Sequence, residues 1–155
     1  MRIGHGYDVH AFCDGDHLVL GGINIPFNKS FIAHSDGDVL IHAIMDSLLG
    51  AAGLPNIGVL FPDSSKEYEN IDSKIMLNMV SKELNKHGFE IEYIDSTIIA
   101  QEPKINPYIL EMRKAISLAL SIDIDRINIK ATTEEKLGFT GRKEGIAAHA
   151  VCLLK

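Results

Sequence analysis

The chain has 155 residues, of which 46% are hydrophobic, so it is long enough to form one compact domain with a sizeable core. Its formal net charge of −6 excludes the basic excess of a general nucleic-acid binder, and no apolar run reaches the roughly 18 residues of a membrane span. Met1 leads directly into strand-like sequence, so no signal or transit segment is expected. Cys13 and Cys152 form no CxxC motif, which favours reduced thiols and a cytoplasmic location. We expect a single domain over residues 1–155.

The chain begins with strand-like patterns. Residues 2–10 predict a strand in which Ile3, Tyr7 and Val9 alternate with polar neighbours. Residues 18–25, interrupted by a Gly-Gly pair, predict one or two short strands or a hairpin arm.

Three later segments repeat apolar residues at helical spacing. The first covers residues 39–51, is capped by Ser35 or Asp36, and is ended by a glycine and a proline. The second covers residues 73–87. The third opens at Pro107, which suits a first helical turn.

The remaining segments decide the fold class. Residues 56–72 are rich in loop-forming residues, whereas the patterns of residues 89–99, 127–131 and 146–154 predict strands. Strands and helices do not alternate strictly, so the prediction is an α+β fold. It has a mixed four-stranded sheet plus the hairpin arm, with helices packed on one face.

The most informative side chains are one carboxylate and two imidazoles. Asp8 and His10 are two residues apart on the first strand, so both point to the same face. His42 lies on the first helix, and Asp38 or Asp46 could hold its second ring nitrogen. Three such ligands suit a zinc-type cation with one coordination position open for chemistry. The alternative is a solvated helix face and an ordinary polar pair on a strand.

Two polar clusters could bind phosphate. Residues 34–38 precede a helix, whose free amide groups suit an anion, although they could be only a capping cluster. Residues 130–142 combine hydroxyls, carboxylates and lysines after a strand, although turns are often built from the same residue types.

Four stretches together closely resemble the 2-C-methyl-D-erythritol 2,4-cyclodiphosphate synthase family: Arg2–His10, Ala33–Asp38, Leu60–Asp63 and Lys130–Arg142. The resemblance covers essentially the whole chain. It implies a phosphorus–oxygen lyase of non-mevalonate isoprenoid biosynthesis. In that reaction, the 2-phosphate of 4-diphosphocytidyl-2-C-methyl-D-erythritol 2-phosphate attacks the diphosphate, CMP leaves, and a cyclic diphosphate closes.

The resemblance also implies residue roles. Asp8, His10 and His42 match zinc ligands, and Glu135 matches the residue that binds magnesium or manganese at the diphosphate. Catalytic positions that orient the phosphates match His34 and Thr133. Substrate-binding positions match four segments: Ser35; Asn56, Ile57, Gly58, Phe61, Pro62, Asp63, Ser64 and Ser65; Ala100, Gln101, Glu102, Pro103, Lys104, Ile105 and Asn106; and Ala131, Thr132, Thr133 and Glu134.

Two departures from the family pattern occur among these positions. The family often has Asp where this chain has Asn56, and Ile105 and Asn106 replace more apolar residues in the cytidine loop. The side-chain amide of Asn56 can still hydrogen-bond a sugar diol, and backbone groups of the cytidine loop can hydrogen-bond the cytosine edge. We therefore expect the chemistry to be retained.

The family is a homotrimer with active sites at subunit interfaces, so the resemblance implies the same assembly here. Phe139 and Arg142 match the lining of a central cavity that can hold isoprenoid diphosphates, or they simply pack and pair across the trimer. No nucleic-acid or membrane partner is expected.

Two other functions remain open from the residues. A zinc-dependent phosphohydrolase could use the same ligands, but it would release orthophosphate. A binding or assembly protein could use the metal only to fix its structure, and chelation would then unfold it.

Overall fold

The computed structural model of the chain describes residues 1–62 and 64–155. None of the helices in these two ranges is long and apolar enough to cross a membrane. Short 3-10 turns lie at Lys66–Tyr68, Asn106–Tyr108 and Ile124–Arg126. The strands and α-helices are, in chain order, β1 (Arg2–Asp14), β2 (His17–Leu20), β3 (Ile23–Pro26), β4 (Lys29–Phe31), α1 (Val39–Ala52), α2 (Ile57–Leu60), α3 (Ser73–Lys86), β5 (Ile91–Ile99), α4 (Ile109–Leu120), β6 (Ile127–Thr132), α5 (Gly138–Gly141) and β7 (Gly145–Leu154).

The main sheet is mixed and has the strand order β4-β1-β7-β5-β6. β5 and β6 are parallel, whereas the other neighbours are antiparallel. The α+β class is confirmed, but the prediction of four strands is wrong. β1 continues to Asp14, and its end pairs with the short strand β4 in the register Phe12↔Phe31. β2 and β3 form the predicted hairpin arm.

The start of α1 differs from the prediction because Asp38 is the capping residue, not Ser35 or Asp36. One carboxylate oxygen of Asp38 accepts hydrogen bonds from the amides of Ile41 and Gly21 at 3.0 and 2.9 Å. The other oxygen accepts one from the amide of Gly22 at 2.6 Å. A single buried carboxylate therefore joins the helix start to the turn of the hairpin arm.

The segment predicted as loop, residues 56–72, contains α2 and a 3-10 turn. α5 was also not predicted. Both helices have only four residues, too few for a helical repeat to be visible in sequence.

The main helix α1 packs on β1 and β7, while α3 packs on α1, and α4 packs on α3 and β6. Large aliphatic side chains of α1, including Leu40, Ile44 and Leu48, are fully buried. Where β1 meets α1, the strand carries Gly4 and Gly6. A Cβ at Gly6 would overlap the carbonyl oxygen of Ala43, so the glycine lets the helix backbone lie directly on the strand.

The other face of β1 is exposed. Ile3, Tyr7 and Val9 are 74%, 45% and 41% exposed. The alternation seen in the sequence is therefore real, but the larger apolar side chains point away from the helices. The helix-facing positions are occupied first by Gly4 and Gly6, where α1 approaches too closely for a side chain, and then by the polar residues Asp8 and His10.

We predict that Gly6→Ala destabilises the protein by about 1–3 kcal/mol, because the added methyl group forces α1 away from β1. Gly50→Ala is the matched control on α1 itself. The nearest atom to a Cβ at Gly50 is the carbonyl oxygen of His5 at 3.9 Å, so alanine should be neutral or stabilising by up to about 1 kcal/mol. Urea unfolding measures both free energies. Equal stability of the two variants would contradict the close-contact interpretation.

Candidate metal centre and substrate pockets

The contact between α1 and β1 brings three metal-ligating side chains together. Asp8 and His10 point to the same face of β1 as the glycines, and His42 lies on α1 above them. Asp8, His10 and His42 form the one cluster in the described ranges that offers three ligand atoms to a single ion.

The three ligand atoms form a small triangle. Asp8 Oδ2 lies 3.0 Å from both His10 Nε2 and His42 Nδ1, and these two nitrogens are 3.2 Å apart. Ligands at about 2.0–2.1 Å from a tetrahedral ion lie about 3.3–3.4 Å from each other. The triangle therefore needs only a few tenths of an ångström of expansion to hold a divalent cation with its fourth position open.

The electrostatics of the triangle favour an ionised carboxylate. Burial alone would raise the pKa of Asp8, but the hydrogen bonds and positive charge that the imidazoles of His10 and His42 supply when protonated outweigh burial. The pKa of Asp8 therefore lies well below its usual range. Burial lowers the pKa of His10, but its hydrogen bond to Asp8 and the charge of that carboxylate raise the pKa above the usual value. The Asp8 carboxylate is thus ionised over the physiological pH range.

Each histidine also has a partner for its outer nitrogen. His10 Nδ1 lies 3.2 Å from the carbonyl oxygen of Ile32, which can only accept. In its neutral form, which a metal ligand requires, His10 therefore carries its proton on Nδ1, and the lone pair of Nε2 faces the centre. His42 Nε2 lies 3.2 Å from the hydroxyl oxygens of Ser35 and Ser73.

The prediction that Asp38 or Asp46 bonds the second ring nitrogen of His42 is wrong. Asp38 is occupied by the amides at the start of α1 and in the hairpin turn. Asp46 accepts a hydrogen bond from the amide of Ile57 at 2.9 Å, and burial raises its pKa. Both carboxylates thus hold backbone groups and do not bond the imidazole.

A cavity of about 240 Å³ opens beside the metal centre. Four of the substrate and catalytic positions from the sequence contribute to it: His34, Ser35, Ile57 and Gly58. The sequence analysis did not include Ala33, Tyr68 and Met76, which also line it. Tyr68 and Met76 occupy a turn and a helix, where nothing in the local pattern separates a pocket residue from a packing residue.

The other predicted residues of this segment are arranged differently. Asn56 caps α2 by accepting a hydrogen bond from the amide of Val59 at 3.2 Å. Phe61 is buried and makes an edge contact with Tyr68, with ring centroids 5.3 Å apart. Pro62 is partly buried, Ser64 is exposed and Ser65 is partly buried, whereas Asp63 lies outside the described residues.

A second cavity, of about 530 Å³, lies at the carboxyl ends of the parallel strands β5 and β6. It collects most of the predicted cytidine and phosphate positions: Ala100, Gln101, Pro103, Lys104, Ile105, Asn106, Ala131, Thr132 and Thr133, together with Pro107. Glu102 instead pairs with Lys143 at 2.7 Å, and Glu134 accepts a hydrogen bond from Thr140.

Next to this cavity, the side chains of Thr133 and Glu135 meet. The Thr133 hydroxyl accepts a hydrogen bond from the Glu135 amide at 3.2 Å and lies 3.4 Å from its carboxylate. The Glu135 backbone is left-handed, with φ 53°. In the same β6–β7 segment, Phe139 is partly buried and Arg142 pairs with Glu144 at 2.8 Å.

The two cavities are separated across the sheet. Val9 on β1, Ala147 on β7, Ile99 on β5 and Thr132 on β6 lie on one line of paired residues. At about 4.8 Å per strand, Thr132 is about 14 Å from Val9, which neighbours His10. Within residues 1–62 and 64–155 the two cavities have no lining residue in common.

We predict that His42→Ala weakens zinc binding by more than about 100-fold, because it removes one of three ligands, while the helical content is retained. His34→Ala is the control, since His34 lines the same cavity without belonging to the triangle. Competition with a chromophoric chelator measures the affinity. Zinc binding of His42→Ala at the level of His34→Ala would contradict the ligand assignment.

Comparisons with known proteins agree with the fold and the motifs. A model of the YgbB family matches residues 1–155. The 2-C-methyl-D-erythritol 2,4-cyclodiphosphate synthase of Haemophilus ducreyi is 57% identical over 154 residues, covering 99% of this chain and 96% of that protein. The bifunctional IspDF of Campylobacter jejuni is 44% identical with a TM-score of 0.95, covering 99% of this chain and 42% of that one.

A ligand-bound structure is also similar. IspF of Plasmodium falciparum, solved as a CDP complex, is 40% identical with a TM-score of 0.86, covering 99% of this chain and 94% of that one. The resemblance inferred from the motifs is confirmed, and so is its implication that the chain is an enzyme of the cyclodiphosphate synthase type. The chain belongs to the YgbB family.

Proposed function

We propose that the chain converts 4-diphosphocytidyl-2-C-methyl-D-erythritol 2-phosphate into 2-C-methyl-D-erythritol 2,4-cyclodiphosphate and CMP, in non-mevalonate isoprenoid biosynthesis. The observation that carries this proposal is the triangle of Asp8, His10 and His42 beside a cavity, in a chain 57% identical to a synthase of that name. One oxygen and two nitrogen ligands favour zinc at this centre.

The reaction is an intramolecular phosphoryl transfer. An oxygen of the 2-phosphate forms a bond to the diphosphate phosphorus nearer methylerythritol, and the bond from that phosphorus to the CMP oxygen breaks with its electron pair. Such a transfer requires alignment and charge stabilisation more than covalent help from the protein. Divalent cations, when bound, would neutralise and polarise the phosphate oxygens.

The chain's own residues supply the alignment. We assign Asp8, His10 and His42 to zinc and Glu135 to magnesium or manganese. His34 lines the cavity beside the triangle, where its imidazole can bond a phosphate oxygen, and its carbonyl is held by the amide of Asn70 at 3.0 Å. The Thr133 hydroxyl borders the second cavity and suits the same task for the diphosphate.

The second cavity suits the cytidine end of the substrate. Its wall includes the chain turn after β5, where backbone groups can read a cytosine edge without demanding particular side chains. The similar Plasmodium falciparum structure contains CDP, which supports nucleotide binding in this family. The methylerythritol end would then lie toward Ile57 and Gly58 in the first cavity.

We further propose that the active enzyme is a homotrimer in which neighbouring chains complete each site. The distance of about 14 Å between Val9 and Thr132 supports this arrangement, because neither cavity of one chain contains all the assigned residues. The exposed apolar face of the sheet, with Ile3, Tyr7 and Val9, supports burial against a second copy. Isoprenoid binding near Phe139 and Arg142, and a cytoplasmic location, remain predictions.

Product analysis tests the reaction. We expect the purified protein with zinc and magnesium to release CMP and the cyclic diphosphate in equal amounts, with no orthophosphate, because the attacking group is part of the substrate. Phosphorus NMR distinguishes these products. Release of orthophosphate without a cyclic product would contradict the proposal and favour a zinc-dependent phosphohydrolase.

Complementation tests whether sites are shared between chains. We expect His42→Ala alone to be inactive and Glu135→Ala alone to be inactive at limiting magnesium. Equal co-expression should restore one site in each mixed trimer, or about a quarter of the wild-type sites over all trimers, because a site then draws zinc ligands from one chain and Glu135 from another. Recovery of no activity in confirmed mixed trimers would place all the assigned residues of a site on one chain.

A further inference from the structure

The outer nitrogen of His42 leads to a chain of polar groups that begins at a buried serine and ends at a half-buried carboxylate. His42 Nε2 lies 3.2 Å from the hydroxyl oxygen of Ser73, which is fully buried at the first residue of α3. The Ser73 hydroxyl donates to the carboxylate of Asp36. The backbone amide of Ser73 donates to the other oxygen of that carboxylate at 2.8 Å.

The donor and acceptor roles along this chain of groups are fixed by chemistry. An ionised Asp36 can only accept, so the single hydroxyl proton of Ser73 is directed to it. Ser73 Oγ then has only lone pairs to offer His42, so His42 Nε2 must be the donor. In a neutral imidazole, a proton on Nε2 leaves the lone pair on Nδ1, the atom that faces Asp8 and His10.

We propose that Ser73 and Asp36 are positioning residues that hold His42 in its cation-binding tautomer. This inference rests on the proposed metal centre of Asp8, His10 and His42. It gives Ser73 and Asp36 a role in that centre. We call the contacts from Asp36 through Ser73 to His42 the relay. Together with the carbonyl of Ile32, which contacts His10, the relay turns both histidine lone pairs toward the carboxylate of Asp8. Two lone pairs and a carboxylate converge favourably only around a cation.

The relay also prevents a competing arrangement. His42 Nδ1 lies 3.0 Å from Asp8 Oδ2, so a proton on Nδ1 would form a hydrogen bond to Asp8. That bond would close the triangle on itself and would have to be broken when a cation binds. A tautomer held by a hydrogen bond at Nε2 avoids this cost. Mutation of such hydrogen-bond partners of metal-bound histidines commonly weakens metal binding by about 10–100-fold.

Ser35 is the second hydroxyl near His42, and its position is less constrained. Its oxygen lies 3.2 Å from His42 Nε2 and 3.4 Å from the amide of Gly37, and its side chain is only partly buried. No carboxylate receives its proton in the described part of the chain. Ser73 is therefore the hydroxyl whose orientation determines that of His42.

Zinc affinity of four variants tests the relay. We expect Ser73→Ala to weaken zinc binding by about 10–100-fold, and Ser73→Thr, which keeps the hydroxyl, to recover part of the loss. Ser47→Ala is the matched control, because Ser47 is equally buried but its hydroxyl donates to the carbonyl of Ile44 at 2.8 Å. Its zinc affinity should be unchanged. Competition with a chromophoric chelator measures all variants, with His42→Ala included to test the metal centre itself.

The outcomes separate the two proposals. If His42→Ala loses zinc while Ser73→Ala binds as tightly as Ser47→Ala, the metal centre is retained and the relay is refuted. If His42→Ala keeps wild-type affinity, the metal centre itself is wrong.

A second variant covers the case in which Ser73→Ala does not fold. Asp36→Asn keeps the shape, but its amide can donate to Ser73 and turn the hydroxyl proton toward His42. We expect weaker zinc binding and, in the zinc-free protein, a shift of the neutral His42 ring from the Nε2–H to the Nδ1–H tautomer in nitrogen-15 NMR. An unchanged tautomer and affinity would refute the relay.

Discussion

The close approach of α1 to β1 is the constraint on which the rest of the structure depends. Glycine at positions 4 and 6 removes the side chains that would separate the helix from the strand, so their backbones touch. Two residues further along the same face, the strand carries Asp8 and His10, and the helix carries His42. The helix that the glycines admit thus carries His42 close enough to the strand for three ligand atoms to reach one ion.

The surroundings of the centre prepare it for a cation. Each outer histidine nitrogen faces an oxygen, and the central carboxylate is kept ionised by its neighbours. The protein is net acidic, so a cation bound at this centre would supply the positive charge that reduces repulsion between two approaching phosphates. The second cavity, to which we assign the nucleotide in the proposed function, lies elsewhere on the sheet, so one chain by itself separates the groups that the proposed reaction must bring together.

Short-range periodicity and long motifs made part of the fold and of the site predictable from the sequence. The period of two placed Asp8 and His10 on one face, and the helical repeat placed α1. Prediction failed where a partner lies far along the chain. Ser73 reaches His42 across 31 residues, and β4 pairs with the end of β1 across the whole hairpin arm. Asp38 and Asp46 have suitable helical spacing from His42, but their carboxylates accept hydrogen bonds from backbone amides instead.

The pairing of β4 with β1 has a consequence for variation in the hairpin arm. Ile32 directly follows β4, and its amide bonds the carbonyl of Ala11 while its own carbonyl orients His10. Carbonyl directions alternate along an extended chain, so a slip of one residue would turn the oxygen away from the ring. Insertions and deletions between residues 15 and 28 are therefore tolerable only if they change the turns and leave the register of β4 on β1 unchanged. The length of the hairpin arm thus affects the orientation of His10 at the candidate metal centre.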